Sequence, residues 1–118
     1  MPKGLRPITT YNVFNGIKAV SKNGTATSEA IDLREVAQNG LFTLQYTTTA
    51  GSITITYTVC SVKGGTYFTP SGGGSIGGPY TVGSGGIAFE PEMYPFIKIV
   101  VTENNVAATN VTLYLNIQ

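Results

Sequence analysis

Apolar and polar residues alternate with a period of two over most of this 118-residue chain. That period is typical of β-strands with one buried face. The clearest example is "SITITYTVC", Ser52 to Cys60, which contains no charge, proline or glycine. It predicts a strand in the centre of a sheet, because such a segment left at an edge promotes aggregation. Its core face would carry Ile53, Ile55, Tyr57 and Val59, and its other face Thr54, Thr56 and Thr58.

Similar alternation occurs in several other segments of the chain. Strands are predicted in "YNVFNGIKAVS", Ala30 to Leu33, "GLFTLQYTTT", "KGGTYFTP", "PFIKIVVT" and "VTLYLNIQ". The turn signal Ala50-Gly51 predicts a hairpin between "GLFTLQYTTT" and "SITITYTVC". Helical signals are sparse, and one helical turn is expected at residues 34–38. The chain therefore predicts an all-β fold: an antiparallel β-sandwich, Ig-like or jelly-roll-like, of seven or eight short strands connected as consecutive hairpins with one long connection.

Two segments of the predicted single domain, residues 1–118, do not have strand character. The Gly-rich stretch "SGGGSIGGPYTVGSGG", residues 71–86, predicts a long surface loop with a short edge strand at Tyr80–Val82. It is either flexible or ordered against a neighbouring subunit, which makes Tyr80 a candidate contact. Residues 1–10 form a possible extended arm, with Lys3 and Arg6 as candidate contacts, or a frayed terminus.

Charged residues are scarce, at 11% of the chain against about 25% in an average domain. The net charge is +1, and no basic patch is large enough to neutralise several phosphates, so we expect no nucleic-acid partner. No signal peptide or membrane span is recognisable, so we expect synthesis in a cytoplasm, with the protein kept there or released without a Sec signal, and no membrane partner. The neutral surface fits either a protein packed against other subunits or a compact β-protein with a Thr, Ser and Asn surface.

No catalytic or metal-binding signature is present, and we expect no enzyme and no cofactor. The chain has no histidine, which excludes Ser-His-Asp catalysis and His-based metal sites. Cys60, the single cysteine, is expected to be a buried hydrophobic residue. Glu90 and Glu92 are interpreted as a solvated rim, and "ENN" at residues 103–105 as a hairpin turn that offers too little charge for calcium.

The aromatic residues leave a sugar-binding alternative open. Sugar-binding modules present flat aromatic platforms, and the candidates near loops are Tyr67, Tyr80 and Tyr94. The competing interpretation is that these tyrosines cap sheet edges with their hydroxyls in water.

The segments "SEAIDL…NGLFTLQY", "ITITYTV", "GGTYFTP" and "PFIKIVVTENN…VTLYLNIQ" resemble small accessory proteins of tailed-phage virions. The resemblance implies a capsid decoration (cement) protein that binds the major capsid protein or other virion subunits, with no active site. It also implies a homo-oligomer, often a trimer, located in the virion after synthesis in the host cytoplasm. The Thr54, Thr56 and Thr58 face would then be hydrated or pressed against another subunit, because short, stiff side chains suit close packing. The alternative is a carbohydrate- or surface-binding module of a fibre or adhesin.

Overall fold

A computed structural model describes residues 7–118, which form ten β-strands and contain no helix. In chain order the strands are β1 (Thr9–Asn12), β2 (Lys18–Val20), β3 (Thr25–Thr27), β4 (Ile31–Asp32), β5 (Phe42–Thr48), β6 (Ile53–Cys60), β7 (Ser75–Tyr80), β8 (Gly83–Phe89), β9 (Phe96–Glu103) and β10 (Thr109–Ile117). All strand pairs are antiparallel, which confirms the predicted all-β antiparallel sandwich.

The strand order identifies the type of sandwich. β1 and β2 follow one another along β10, and β3 and β4 do the same along β9, so each pair acts as one interrupted strand. Sheet A then has the order β1/β2, β10, β5, β8, and sheet B has the order β3/β4, β9, β6, β7. Successive strands alternate between the sheets, except for β6 and β7. This is the arrangement of an eight-stranded jelly roll, one of the two predicted alternatives.

The predicted connectivity by consecutive hairpins is wrong. β5 pairs with β10 and β8, whereas β6 pairs with β9 and β7, so the connection through Ala50-Gly51 passes from one sheet to the other. The loop after β9 crosses between the sheets in the same way. Of the consecutive strands described here, β6 and β7 alone pair as neighbours in one sheet, and they are joined by the long connection 61–74.

The Gly-rich segment is not a long loop. It contains β7, at the edge of sheet B, and the start of β8, at the edge of sheet A; Thr81 and Val82 connect them. The tyrosine rings of Tyr46 and Tyr80 stack between the two sheets at 4.1 Å. A side chain at Gly85 would lie 2.8 Å from the Tyr46 hydroxyl oxygen, and one at Gly77 would meet the Tyr80 ring. The glycines of these strands therefore make room for the stacked tyrosines.

Two smaller predictions differ from the structure, and a third agrees with it. "KGGTYFTP" contributes a single bridge between Phe68 and Val59 instead of a strand. The single turn expected at residues 34–38 is present, closed by a hydrogen bond from Ala37 N–H to the Leu33 carbonyl four residues earlier, and no helix continues from it. Thr9 and Thr10, assigned to the arm, belong to β1 because they pair with β10.

The core lies between the sheets and contains the predicted face of β6. The other predicted strands at Ala30–Leu33, "GLFTLQYTTT", "PFIKIVVT" and "VTLYLNIQ" correspond to β4, β5, β9 and β10, and β6 lies inside its sheet as expected. Cys60 is also buried. The following residues are at most 5% exposed: Leu44, Ile53, Ile55, Tyr57, Val59, Ile97, Ile99, Val101, Val111, Leu113, Leu115 and Ile117. The strands thus leave their alternate, polar faces on the outside of the two sheets.

Candidate functional site

The outer face of sheet A is a continuous surface without charge. Its strands alternate between side chains buried in the core and side chains that point outward. The outward residues are Thr10, Asn12, Thr43, Gln45, Thr47, Ser84, Gly86, Ala88, Thr112, Tyr114 and Asn116. We call this set the sheet A face. It consists of hydroxyl, amide and small side chains with one tyrosine, Tyr114, which is 37% exposed.

Side-chain hydrogen bonds connect neighbouring strands across the sheet A face. The Thr10 hydroxyl donates to Asn116 Oδ1 at 2.7 Å, and Asn116 Nδ2 donates to the Thr43 hydroxyl at 3.2 Å. One row of bonds therefore crosses β1, β10 and β5. Farther along the sheet, the hydroxyls of Thr47 and Ser84 lie 2.8 Å apart and connect β5 to β8. These bonds restrain short side chains before any partner binds.

A shallow groove runs along the sheet A face beside β8. Its volume is about 440 Å³, and it is lined by Thr43, Gln45, Ser84, Gly86, Asn116 and the backbone near Leu44 and Gly85. The groove exists because β8 presents small residues next to the longer side chains of β5. The groups available to a partner are hydroxyls, amides and exposed backbone.

The predicted contacts Thr54, Thr56 and Thr58 lie together on the other outer face, that of sheet B. All three are half-buried, and Thr54 accepts a hydrogen bond from Asn104 Nδ2 at 3.0 Å. This face carries charge, because Lys98 pairs with Thr58 across β9 and β6 and lies over the Tyr67 ring at 4.3 Å. The threonine row thus lies on the outer face of sheet B, but the face without charge is that of sheet A.

Tyr80 does not lie on an exposed surface. Its ring stacks on Tyr46 at the side of the core, and burial, followed by the nearby Tyr46 hydroxyl, raises the pKa of Tyr80. Tyr94 lies in the connection 90–95, near the opposite end of the sandwich, where it packs edge-on against Phe68 at 5.3 Å. The tyrosines proposed as a sugar platform are therefore not brought together on one face.

One buried acid was not identified as important from the sequence. Glu103 is 0% exposed and joins three connections at one end of the sandwich. Its carboxylate accepts backbone N–H bonds from Asn23 at 2.8 Å, Ser52 at 3.1 Å, Val106 at 3.1 Å and Ala107 at 3.3 Å. Burial pushes the pKa of Glu103 upward, but the four N–H groups together outweigh it and lower the pKa to about 2.

This arrangement makes Glu103 a structural residue. Glu103 belongs to the "ENN" segment that was interpreted as a turn. None of its neighbours in the sequence indicates that residues as distant as Asn23 donate N–H groups to its carboxylate. Four donors leave its oxygens occupied, so it is not available to a ligand.

The remaining polar candidates also have structural partners. Glu92 accepts hydrogen bonds from the Ser71 hydroxyl and the Gly72 N–H. Asp32 and Arg34 form an ion pair at 2.7 Å, and the Arg34 hydrogen bonds lower the pKa of Asp32 to about 2. The Cys60 thiol donates to the Val62 carbonyl at 3.1 Å. Lys3 and Arg6 lie outside the described residues.

Residues 7–118 contain neither a cluster of metal-ligating side chains nor a membrane-spanning helix. No three metal-ligating side chains cluster there. Nor does that range contain a helix with the length and hydrophobicity needed to cross a bilayer. In comparisons with known proteins, no family model matches the chain and no curated protein is significantly similar to it.

Proposed function

We propose that this protein is a non-enzymatic structural component of a phage particle, a decoration protein that binds the outer shell and stabilises it. Its partners would be the major capsid protein or other virion subunits, and it would reside in the virion. The proposal combines the resemblance of the quoted segments with the jelly-roll order, which is found in viral capsid proteins as well as in lectins.

The observation that supports shell binding most directly is the neutral sheet A face. The centres of protein–protein interfaces are depleted in charge, because each buried charge must be desolvated. The sheet A face crosses β1, β10, β5 and β8 and contains no charged side chain, so it meets that requirement. The sheet B face, with Lys98 and the Asp32–Arg34 pair, does not meet it.

The restrained side chains of the sheet A face favour the same role. Thr10, Asn116 and Thr43 are already ordered by their mutual hydrogen bonds. Ordering flexible side chains costs about 0.5–1.5 kcal/mol each on association, and a preordered face avoids much of that cost. Such a face would bridge neighbouring shell subunits with little loss of entropy. Lys3 and Arg6 would add a second contact from the start of the chain.

A pair of lysine substitutions tests which face binds the shell. Gln45→Lys places a charge in the centre of the sheet A face, and Thr27→Lys places one at an exposed position of sheet B. Each variant is co-expressed with the structural genes that neighbour its own, large particles are purified by sedimentation, and the bound chain is quantified. We expect Gln45→Lys to weaken binding by about tenfold or more and Thr27→Lys to bind normally.

Two results would contradict the proposal. Complete absence of the unmodified chain from purified particles would exclude a decoration role. Binding that is lost in Thr27→Lys and retained in Gln45→Lys would place the contact on sheet B, with Thr54, Thr56 and Thr58. Circular dichroism spectra of both variants control for correct folding.

A second candidate function is binding of a carbohydrate in the groove beside β8. The specific observation is that Gln45, Asn116 and Thr43 present amide and hydroxyl groups there, with Tyr114 on the same face. Polar groups with fixed orientation are what a small-ligand site uses for specificity. A glycan array followed by titration calorimetry tests this candidate. Loss of a measured affinity in Tyr114→Ala would support it, and absence of any glycan signal would exclude it.

A further inference from the structure

The outer edge of β8 is an open sheet edge. β8 runs for seven residues, Gly83–Phe89, and pairs with β5 in continuous register along its whole length. It is the last strand of sheet A, and within the described chain no backbone hydrogen bond beyond the β5 ladder involves it. Backbone N–H and C=O groups therefore point away from β5 without a strand to receive them. We propose that this edge pairs with the same edge of a second copy of the chain, in an antiparallel two-fold dimer.

The other three edges of the sandwich are unsuitable for continuous pairing. The β1/β2 edge is interrupted between Asn12 and Lys18, and the β3/β4 edge between Thr27 and Ile31. At the β7 edge the register shifts twice against β6, and Pro79 has no N–H to donate. Interruptions, bulges and prolines are the devices that protect edges against unwanted pairing. β8 has no interruption, bulge or proline. In a second copy of the chain, the edge suited to continuous pairing with it is therefore again β8.

The sequence of β8 is complementary to itself when two copies run antiparallel. Its first half is glycine and serine, and its second half contains Ile87, Ala88 and Phe89. Pairing centred on Gly86 places Ile87 opposite Gly85 and Phe89 opposite Gly83 of the other copy. Ile87 and Phe89 pack against the core of their own copy, and the Tyr46 ring fills the space beside Gly85. On the outer face Ser84 lies opposite Ala88 and Gly86 lies opposite itself, so only small, uncharged side chains meet across the two-fold axis. A two-fold contact requires this kind of self-complementarity.

Charge does not oppose this pairing. β8 contains no charged residue, and the first charge after it is Glu90. In the antiparallel arrangement each Glu90 lies opposite Val82 of the other copy, so the two carboxylates are roughly 27 Å apart. That separation exceeds the screening length of about 8 Å at physiological ionic strength. The inference concerns the isolated protein and does not depend on binding to a shell.

The expected dimer is weak in solution. A single seven-residue ladder is a small contact compared with interfaces that hold stable dimers. Two linked copies would nevertheless present two sheet A faces side by side, and simultaneous engagement of both strengthens attachment to a lattice. The dimer should therefore be sought at high protein concentration.

The test uses position 86, which meets itself across the two-fold axis. A side chain at Gly86 is tolerated in the monomer, because its nearest neighbour would be the Leu44 carbonyl at 3.5 Å. We expect Gly86→Lys, and separately Gly86→Glu, to raise the dimer dissociation constant by about fivefold or more in sedimentation equilibrium. A mixture of the two variants should restore association, because lysine then faces glutamate. Ala19→Lys, on the opposite edge of sheet A, is the matched control and should not change association.

Cross-linking provides a second, register-specific measurement. Directly opposed antiparallel residues have Cα atoms about 4.5–5.5 Å apart, which is within disulfide range. Gly86→Cys should therefore form a disulfide-linked dimer under mild oxidation, whereas Ala19→Cys should not. The natural Cys60 is 4% exposed and should not contribute.

Several outcomes would overturn the inference. These are a monomer at millimolar concentration, a trimer, or a dimer that is unaffected by the single-charge variants at position 86. Rescue by the mixed variants together with disulfide formation would support it. Shell binding by a strictly monomeric protein would leave the proposed function intact while refuting the β8 pairing.

Discussion

Thr109→Val is a sensitive test of the connection that carries the chain from sheet A to sheet B. Thr48 and Thr109 are 1% and 4% exposed, and their hydroxyl oxygens lie 2.7 Å apart. The Ala50 N–H donates to the Thr109 hydroxyl at 3.1 Å, and the Thr48 hydroxyl donates to the Ala50 carbonyl at 3.0 Å. Valine matches threonine in shape but cannot form any of these bonds.

The magnitude follows from the number of bonds that each change removes. Thr109→Val removes two bonds, to Thr48 and from Ala50, at about 1 kcal/mol each, so it should lower the free energy of unfolding by about 2 kcal/mol. This corresponds to a fall in Tm of roughly 8 °C. Thr48→Val also removes two bonds. The double variant removes three different bonds and should cost about 3 kcal/mol, which gives a coupling energy of about 1 kcal/mol.

Urea unfolding followed by circular dichroism measures all four proteins of this cycle. Thr112→Val, on the outer face of the same strand, is the matched control and should stay within about 0.5 kcal/mol of the unmodified protein. A coupling energy near zero, or a neutral Thr109→Val, would refute the hydroxyl pair as an anchor of the crossover.

The remaining predictions concern charge, backbone and core. Because the folded pKa of Glu103 is lowered from 4.5 to about 2, its stabilising contribution should be complete above pH 4.5 and decrease as the pH falls towards 2; Glu103→Gln should remove this acid dependence in thermal unfolding. Gly51 and Gly40 have similar φ angles of +66° and +67°. A Cβ atom added at Gly51 would lie 2.6 Å from the Ala107 carbonyl oxygen, whereas a Cβ atom added at Gly40 would have no neighbour within 4 Å. Gly40→Ala should therefore cost about 1 kcal/mol in urea unfolding, and Gly51→Ala clearly more. Leu113→Ala, at a position 0% exposed, should cost about 3 kcal/mol, and a change under 1 kcal/mol would contradict its central place in the core.

The positions of the long strands and their buried faces were predictable from the sequence. Alternation within β6, β9 and β10 is a local property, and burial of one face follows from it directly. The threonine row of β6 was found for the same reason. The neutral sheet A face, in contrast, assembles from residues such as Thr10, Gln45 and Asn116, which are far apart along the chain.

Strand pairing and the structure of the Gly-rich segment were not predictable. The turn at Ala50-Gly51 has the composition of a hairpin, but contacts from Glu103 and Thr109, more than 50 residues away, fix it as a crossover. Local propensity also disfavours glycine in strands. The need for small residues beside the stacked Tyr46 and Tyr80 rings is visible only in three dimensions.

The jelly-roll order has a consequence for biosynthesis. β9 and β10, the last strands in chain order, lie between strands that are made earlier. Neither sheet can therefore assemble fully while the ribosome is still translating β9 and β10. Until then β5 and β6, which contain no charged residue, remain without their main partners. Folds dominated by such non-local pairing form slowly and expose unpaired strands on the way. We therefore expect the yield of native protein in cells to depend strongly on expression rate and temperature.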